Sequence, residues 1–89
     1  MYKIRFFDTA IQDLQEISAY IALDNPFQAK KVLENIHLSI GYLETFPLLG
    51  KEIKYGYRQI VSKNKFKIVY KTEHNTVYII SIFKYKNNF

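Results

Sequence analysis

Basic side chains are concentrated in the C-terminal part of the chain, where they alternate with aromatic ones. Residues 51–89 hold nine Lys or Arg against Glu52 and Glu73, a balance of +7, whereas residues 1–50 hold four against six acids, a balance of −2. Cations interleaved with aromatic rings are typical of surfaces that bind polyanions, and the same charge suits an acidic protein partner. Lysines that only keep a sheet edge soluble would give a similar pattern. We favour a polyanionic or acidic partner.

Other chemistries lack the residues that they require. The chain has no cysteine, and its two histidines, His37 and His74, stand apart from any group of carboxylates, so no thiolate or metal site is expected. The sequence contains no glycine-rich phosphate loop and no serine or cysteine nucleophile motif. We therefore expect no metal, no cofactor and no small-molecule ligand.

The N-terminus and the apolar runs favour a protein of the cytoplasm. The first five residues lead into a short strand and not into the apolar segment of a secretory signal. No apolar run approaches the roughly 20 residues that a membrane-spanning helix requires. We expect a cytoplasmic location and no membrane contact.

The last third of the chain predicts three consecutive strands that share one apolar face. Alternation along the middle strand separates two sets of side chains, Phe66, Ile68 and Tyr70 against Lys67, Val69 and Lys71. The predicted strands are Tyr57–Ser62, Phe66–Thr72 and Thr76–Tyr85, joined by two short polar turns. One face of this sheet should therefore be apolar and the other cationic.

Upstream, the sequence predicts one strand and two helices. Tyr2–Phe7 alternates as a strand, and the next apolar stripe predicts a helix from about Thr9 to Leu23, with Thr9 as its N-cap. A second helix should run from Pro26 to about Glu44, with Asn25 as its N-cap. Since the link between them is so short, the helices must form an antiparallel hairpin.

These elements predict one α+β domain, residues 1–89, in the order β-α-α-β-β-β. The helical hairpin should pack on one face of a small antiparallel sheet and leave the cationic face open to a partner. Arg58 and Lys67 should both lie on that open face, and Asp13 should point from the first helix into water.

Several short motifs, in this order and spacing, point to a known family. They are the opening strand, Ala10-x-x-x-Leu14-x-x-Ile17-x-x-Tyr20-Ile21, Asn25-Pro26, Leu43-x-x-Phe46-Pro47-x-x-Gly50, Gly56-Tyr57-Arg58, Phe66-Lys67-Ile68-Val69-Tyr70 and Val77-x-Ile79-x-x-Ile82. In this pattern the chain resembles the RelE/ParE superfamily of toxins from bacterial type II toxin–antitoxin systems. The long helical hairpin with Asn-Pro at its bend looks more like the ParE branch than the RelE branch.

The resemblance implies a fold, a partner and two possible targets. The fold is a helical hairpin on a small curved antiparallel sheet, and the partner is a cognate antitoxin that wraps the toxin. ParE-like toxins poison DNA gyrase, whereas RelE-like toxins cut mRNA in the ribosomal A site without a metal. A degenerate toxin that only binds its partner is a third possibility.

The resemblance also implies candidate residues for the nuclease alternative. Arg58, Lys67, Lys84 and Tyr85 match positions that carry catalytic groups in RelE-like enzymes, and Lys63, Lys65 and Lys86 are candidates for contacting nucleic acid or another target. Two departures weaken this alternative. Lys67 stands where the nucleases commonly carry an arginine, and the C-terminal tail has no histidine. Each of these cations could equally cover apolar surface or face solvent.

Overall fold

In the computed structural model of the chain, the structure is described for residues 1–84, which form five strands and two helices. The bounds are β1 Lys3–Phe6, α1 Asp8–Asp24, α2 Pro26–Gly41, β2 Lys51–Glu52, β3 Arg58–Val61, β4 Lys67–Glu73 and β5 Thr76–Phe83. A 3-10 turn, Tyr42–Glu44, follows α2, so the second helical segment ends where predicted but with a tighter last turn. The order of elements is confirmed apart from β2, which is too short to show an alternation.

The strands form one mixed sheet in the order β1-β5-β4-β3-β2. The pairs β2–β3, β3–β4 and β4–β5 are antiparallel. The pair β1–β5 is parallel. The expectation of a wholly antiparallel sheet is therefore wrong in its first strand. Alternation of apolar residues indicates which face of a strand is buried, and it is the same for parallel and antiparallel partners.

The helical hairpin covers one face of this sheet, here called the core face. Its bend is fixed by Asn25, whose side-chain oxygen accepts a hydrogen bond of 3.1 Å from the N–H of Gln28, with Pro26 at the first helical position. This confirms the predicted cap. The buried core combines helix, turn and sheet residues: Ala10, Val32, Ile36, Ile40, Leu43, Phe66, Ile68, Tyr70, Val77, Ile79 and Ile82. Within residues 1–84, neither helix is long and apolar enough to cross a membrane.

Polar side chains of α1 cover the part of β5 that extends beyond β1. β1 pairs only with the first half of β5, which leaves the edge of the second half open. There the hydroxyl of Thr9 donates to the carbonyl of Ile80. The carboxylate of Asp13 accepts from the N–H of Ile82 at 2.9 Å and from the hydroxyl of Ser81 at 3.2 Å. These contacts satisfy backbone groups that could otherwise recruit another strand.

Two predictions about α1 are therefore wrong. The helix begins at Asp8 after Phe7, whose side chain has no hydrogen-bond acceptor, and the hydroxyl of Thr9, the predicted cap, donates to the carbonyl of Ile80 in the sheet. Asp13 is half-buried against β5 and does not point into water. An apolar stripe predicts which side of a helix meets the core, but it does not reveal a strand edge beside that stripe.

Candidate functional site

The outer face of the sheet, opposite the helices, carries cations at its rim and apolar side chains at its centre. The strand register places Arg5, Lys67 and Lys71 on this face. Val69 and Phe83 lie on it as well, yet Val69 is 0 % exposed and Phe83 8 %. The predicted open cationic surface is therefore present at the rim and not at the centre.

Arg58 lies on the core face, opposite Lys67. The register pairs Arg58 with Tyr70 and Val61 with Lys67, and paired residues of antiparallel strands share a face. The prediction that Arg58 and Lys67 share the outer face is wrong. The reason is strand parity: Arg58 is two residues from Ile60, which packs against the core.

Arg58 and Tyr70 hold the segment that connects the helices to the sheet. The hydroxyl of Tyr70 donates to the carbonyl of Pro47 and accepts from the N–H of Gly50, both at 2.8 Å. Nη1 of Arg58 donates to the carbonyl of Gly50 at 2.8 Å. We call these three hydrogen bonds the Gly50 clamp. Among the described residues, the main contact of Arg58 is therefore with the backbone of its own chain, where it stabilises the fold.

Burial raises the pKa of Tyr70 above the usual 10.0 of tyrosine, against smaller opposite effects of the Gly50 N–H and the Arg58 charge. Because unfolded Tyr70 loses its proton near pH 10 while folded Tyr70 retains it, the unfolded state binds fewer protons at alkaline pH. The stability that this difference contributes is present below pH 10 and is lost as the pH rises through the folded pKa.

Replacing Tyr70 by Phe should therefore flatten the loss of stability at alkaline pH. Tyr70→Phe should lower the free energy of unfolding by about 1 kcal/mol at neutral pH, since the buried N–H of Gly50 and the half-buried carbonyl of Pro47 lose their partner. As the pH rises above about 10, the difference from wild type should shrink. Urea unfolding across this range measures both effects, with Tyr78→Phe as the control that removes an outer-face hydroxyl. A constant difference at every pH would contradict the assignment.

A groove of about 490 Å³ opens between the two helices and the end of the sheet. Its apolar lining includes Ile17, Ile21, Val32 and Phe66, with Glu16 and Lys84 among its polar residues. Nζ of Lys84 lies 5.4 Å from the centroid of the Phe66 ring. The groove is therefore an apolar concave surface with charged groups beside it, a shape that suits a segment of another protein.

The predicted catalytic residues that the structure describes do not form one cluster. Arg58 and Lys84 lie on the core side, but the pairs Arg58–Tyr70 and Lys67–Phe83 place them about four residues apart along β4, roughly 13 Å, and on opposite sides of that strand. Lys67 lies on the outer face, and Tyr85 is outside the described residues. The catalytic role of these residues stays a prediction.

The predicted contact residues lie at the same end of the sheet as Lys67. Lys63 and Lys65 are exposed in the turn between β3 and β4, where Lys65 has a φ of 72°. Lys86 is outside the described residues. Within residues 1–84 there is no group of three or more His, Cys, Asp or Glu side chains that could hold a metal ion.

Sequence reasoning missed one group of side chains at the opposite end of the outer face. Arg5, Phe7, Lys71 and Tyr78 meet there because β1 joins β5. The alternation of the first strand could have placed Arg5 on an outer face. Nothing in the sequence pattern showed which strand would become its neighbour.

A family model matches nearly the whole of this chain. The model is described as the ParE toxin of the type II toxin–antitoxin system parDE, and it matches residues 4–89. The chain belongs to the ParE toxin family. This agrees with the preference for the ParE branch drawn from the helical hairpin.

Solved structures of related systems share the fold of this ParE-family toxin. A chain of the chromosomal ParDE system from P. aeruginosa has a TM-score of 0.82 at 20 % identity, covering 97 % of the toxin and 98 % of that chain. The E. coli RelBE complex has a TM-score of 0.65 at 16 % identity, covering 98 % of the toxin and 100 % of that chain. The RelBE2 complex from Mycobacterium tuberculosis has a TM-score of 0.66 at 25 % identity, covering 93 % of the toxin and 96 % of that chain. No curated protein sequence is similar enough to count as a relative.

Proposed function

We propose that this toxin stops growth by binding and inhibiting DNA gyrase, and that a cognate antitoxin neutralises it. The observation that carries the proposal is the separation of Arg58 from Lys67 by the sheet. It argues against the nuclease alternative, and membership of the ParE family supports the gyrase alternative. A cytoplasmic location is part of this proposal, since gyrase acts on the chromosome there.

The separation matters because metal-free RNA cleavage needs several groups around one phosphate. A base must take the proton of the 2′-hydroxyl, cations must stabilise the phosphorane, and an acid must protonate the leaving oxygen. Arg58 donates to the carbonyl of Gly50 on the core face, and Lys84 lines the groove between the helices. Neither is placed to act together with Lys67. An inhibitor that works by binding needs no such cluster.

The groove between the helices is the surface that we assign to the antitoxin. The structures of the ParDE and RelBE systems are similar in fold to this chain, which supports an antitoxin partner of the same kind. A segment that enters the groove would bury the apolar lining, while its own charges could pair with Lys84 and Glu16. The antitoxin gene is expected in the neighbouring open reading frame.

A supercoiling assay tests the gyrase proposal. We expect the purified toxin to block supercoiling of relaxed plasmid by gyrase and the cognate antitoxin to restore it. A basic protein of similar size and charge is the control, because any cation in excess can coat DNA. Full gyrase activity at a large molar excess of toxin would contradict the proposal.

The uncompensated cations of the outer face keep the mRNA endoribonuclease as a second candidate. Within residues 1–84, no carboxylate forms an ion pair with Lys67, Lys71 or Arg5. A ribosome-dependent nuclease would cleave mRNA in a translating extract that contains toxin and lacks antitoxin. Cleavage there together with full gyrase activity would replace the first proposal by this one. Normal growth after induction, with neither effect, would identify a degenerate toxin.

A further inference from the structure

Three strands align a cation, an aromatic ring and a second cation across the outer face. Lys71 on β4 pairs with Tyr78 on β5, and Tyr78 pairs with Arg5 on β1, so the two cations are two strand spacings apart, roughly 10 Å. The ring of Phe7 lies 6.1 Å from that of Tyr78 at an interplanar angle of 68°. We call Arg5, Phe7, Lys71 and Tyr78 the cation–aromatic row.

The rings orient the charge of the row without neutralising it. Nζ of Lys71 lies 5.7 Å from the ring centroid of Phe7 and 5.9 Å from that of Tyr78, within the range of cation–π attraction. Neither Lys71 nor Arg5 forms an ion pair with any carboxylate of residues 1–84. Glu73, the nearest acid along β4, is exposed to solvent and does not form an ion pair with Lys71. The row therefore offers a positive surface with fixed geometry.

The row is also accessible to a ligand. The side chain of Phe7 is 40 % exposed, Arg5 is exposed, and Tyr78 is half-buried. The helices lie on the other face of the sheet, so they do not cover it. An aromatic ring on an open sheet face is a platform on which a nucleotide base can stack.

We propose that the cation–aromatic row binds single-stranded nucleic acid. A single strand requires cations for its phosphates and ring faces for its bases, and the row supplies both at neighbouring positions. An acidic peptide would use the cations alone and leave the exposed ring of Phe7 without a role. The inference does not depend on gyrase as the target, and it assigns no cleavage.

Binding of a labelled oligonucleotide tests the proposal with the full chain. Fluorescence anisotropy with a single-stranded DNA of about 12 nucleotides, repeated over a salt series, gives the affinity and its salt dependence. Lys71→Gln should weaken binding about fivefold and reduce the slope of log K against log salt by about 0.7, the value for one lost phosphate contact. Arg5→Gln, which alters no ring contact, should do the same.

Lys31→Gln is the matched control. Nζ of Lys31 lies 5.2 Å from the ring centroid of Phe27 on α2, so this variant removes the same charge and the same type of contact away from the sheet. Its affinity should stay within about twofold of wild type. Equal weakening by Lys31→Gln and Lys71→Gln would show that only net charge matters and would overturn the proposal.

Two further measurements decide between partners and exclude misfolding. A polyglutamate peptide that displaces the oligonucleotide at equal charge would indicate an acidic protein partner and overturn the assignment to nucleic acid. Thermal unfolding of each variant checks its fold. If Lys71→Gln is unfolded, Arg5→Gln decides the outcome, because the side chain of Arg5 is exposed. Unchanged affinity in folded Arg5→Gln would then contradict the proposal.

Discussion

Gly50→Ala should lower the free energy of unfolding by about 3 kcal/mol. A Cβ at this position would lie 2.7 Å from Cε1 and from the hydroxyl oxygen of Tyr70, and 2.9 Å from the carbonyl oxygen of Gln59. The ring of Tyr70 is fully buried and the carbonyl of Gln59 belongs to the backbone of β3, so neither group can move aside easily. The displacement would also stretch the Gly50 clamp, whose hydrogen bonds leave buried groups unsatisfied when they break.

The matched control is Gly41→Ala at the end of α2. A Cβ at Gly41 would meet no atom within 4 Å, and the backbone there has helical dihedral angles, φ −58° and ψ −33°. This substitution should therefore raise stability by about 0.5 kcal/mol. Urea unfolding of both variants at neutral pH measures the contrast. Equal stabilities of Gly50→Ala and wild type would contradict the close packing of Tyr70 on Gly50.

The prediction for Gly50 depends on a contact that the sequence did not reveal. Phe46-Pro47-x-x-Gly50 predicted the end of the helical part, because Pro cannot extend a helix and Gly permits a turn. It did not show that the hydroxyl of Tyr70, 20 residues later, would bind the backbone of this turn. Alternation placed Tyr70 on the buried face correctly. The partner of a buried hydroxyl depends on how the strands assemble, which alternation does not encode.

Strand parity explains why the predicted site was assembled wrongly although its strands were right. The face of Arg58 could have been read from Ile60, which shares its side of β3. The prediction that Arg58 and Lys67 share the open face did not apply this parity to Arg58. The sequence also contained a signal of an irregularity in β5. In Val77-x-Ile79-x-x-Ile82 the spacing of the apolar residues changes from two to three. The structure shows a bulge there, with the register of β5 shifted against β4 between Val69 and Tyr70.

Asp13→Ala should lower the free energy of unfolding by about 2 kcal/mol. The carboxylate of Asp13 accepts two hydrogen bonds at the bulge of β5, from the N–H of Ile82 and the hydroxyl of Ser81. Hydrogen bonds to a charged group contribute about 1.5–3 kcal/mol, and both donors belong to buried residues that would lose their partner. Urea unfolding measures the loss at neutral pH.

Asp13→Asn separates the hydrogen bonds from the charge. Its amide oxygen can still accept from the N–H of Ile82, so this variant should lose about 1 kcal/mol, half the effect of the alanine variant. Gln15→Ala, which removes an exposed side chain from the same helix, should change stability by less than about 0.5 kcal/mol. Because Asp13 also covers an open strand edge, the alanine variant should aggregate faster than the asparagine variant at equal stability, as light scattering would show. Equal stability and equal scattering of all three variants would mean that α1 does not protect the edge of β5.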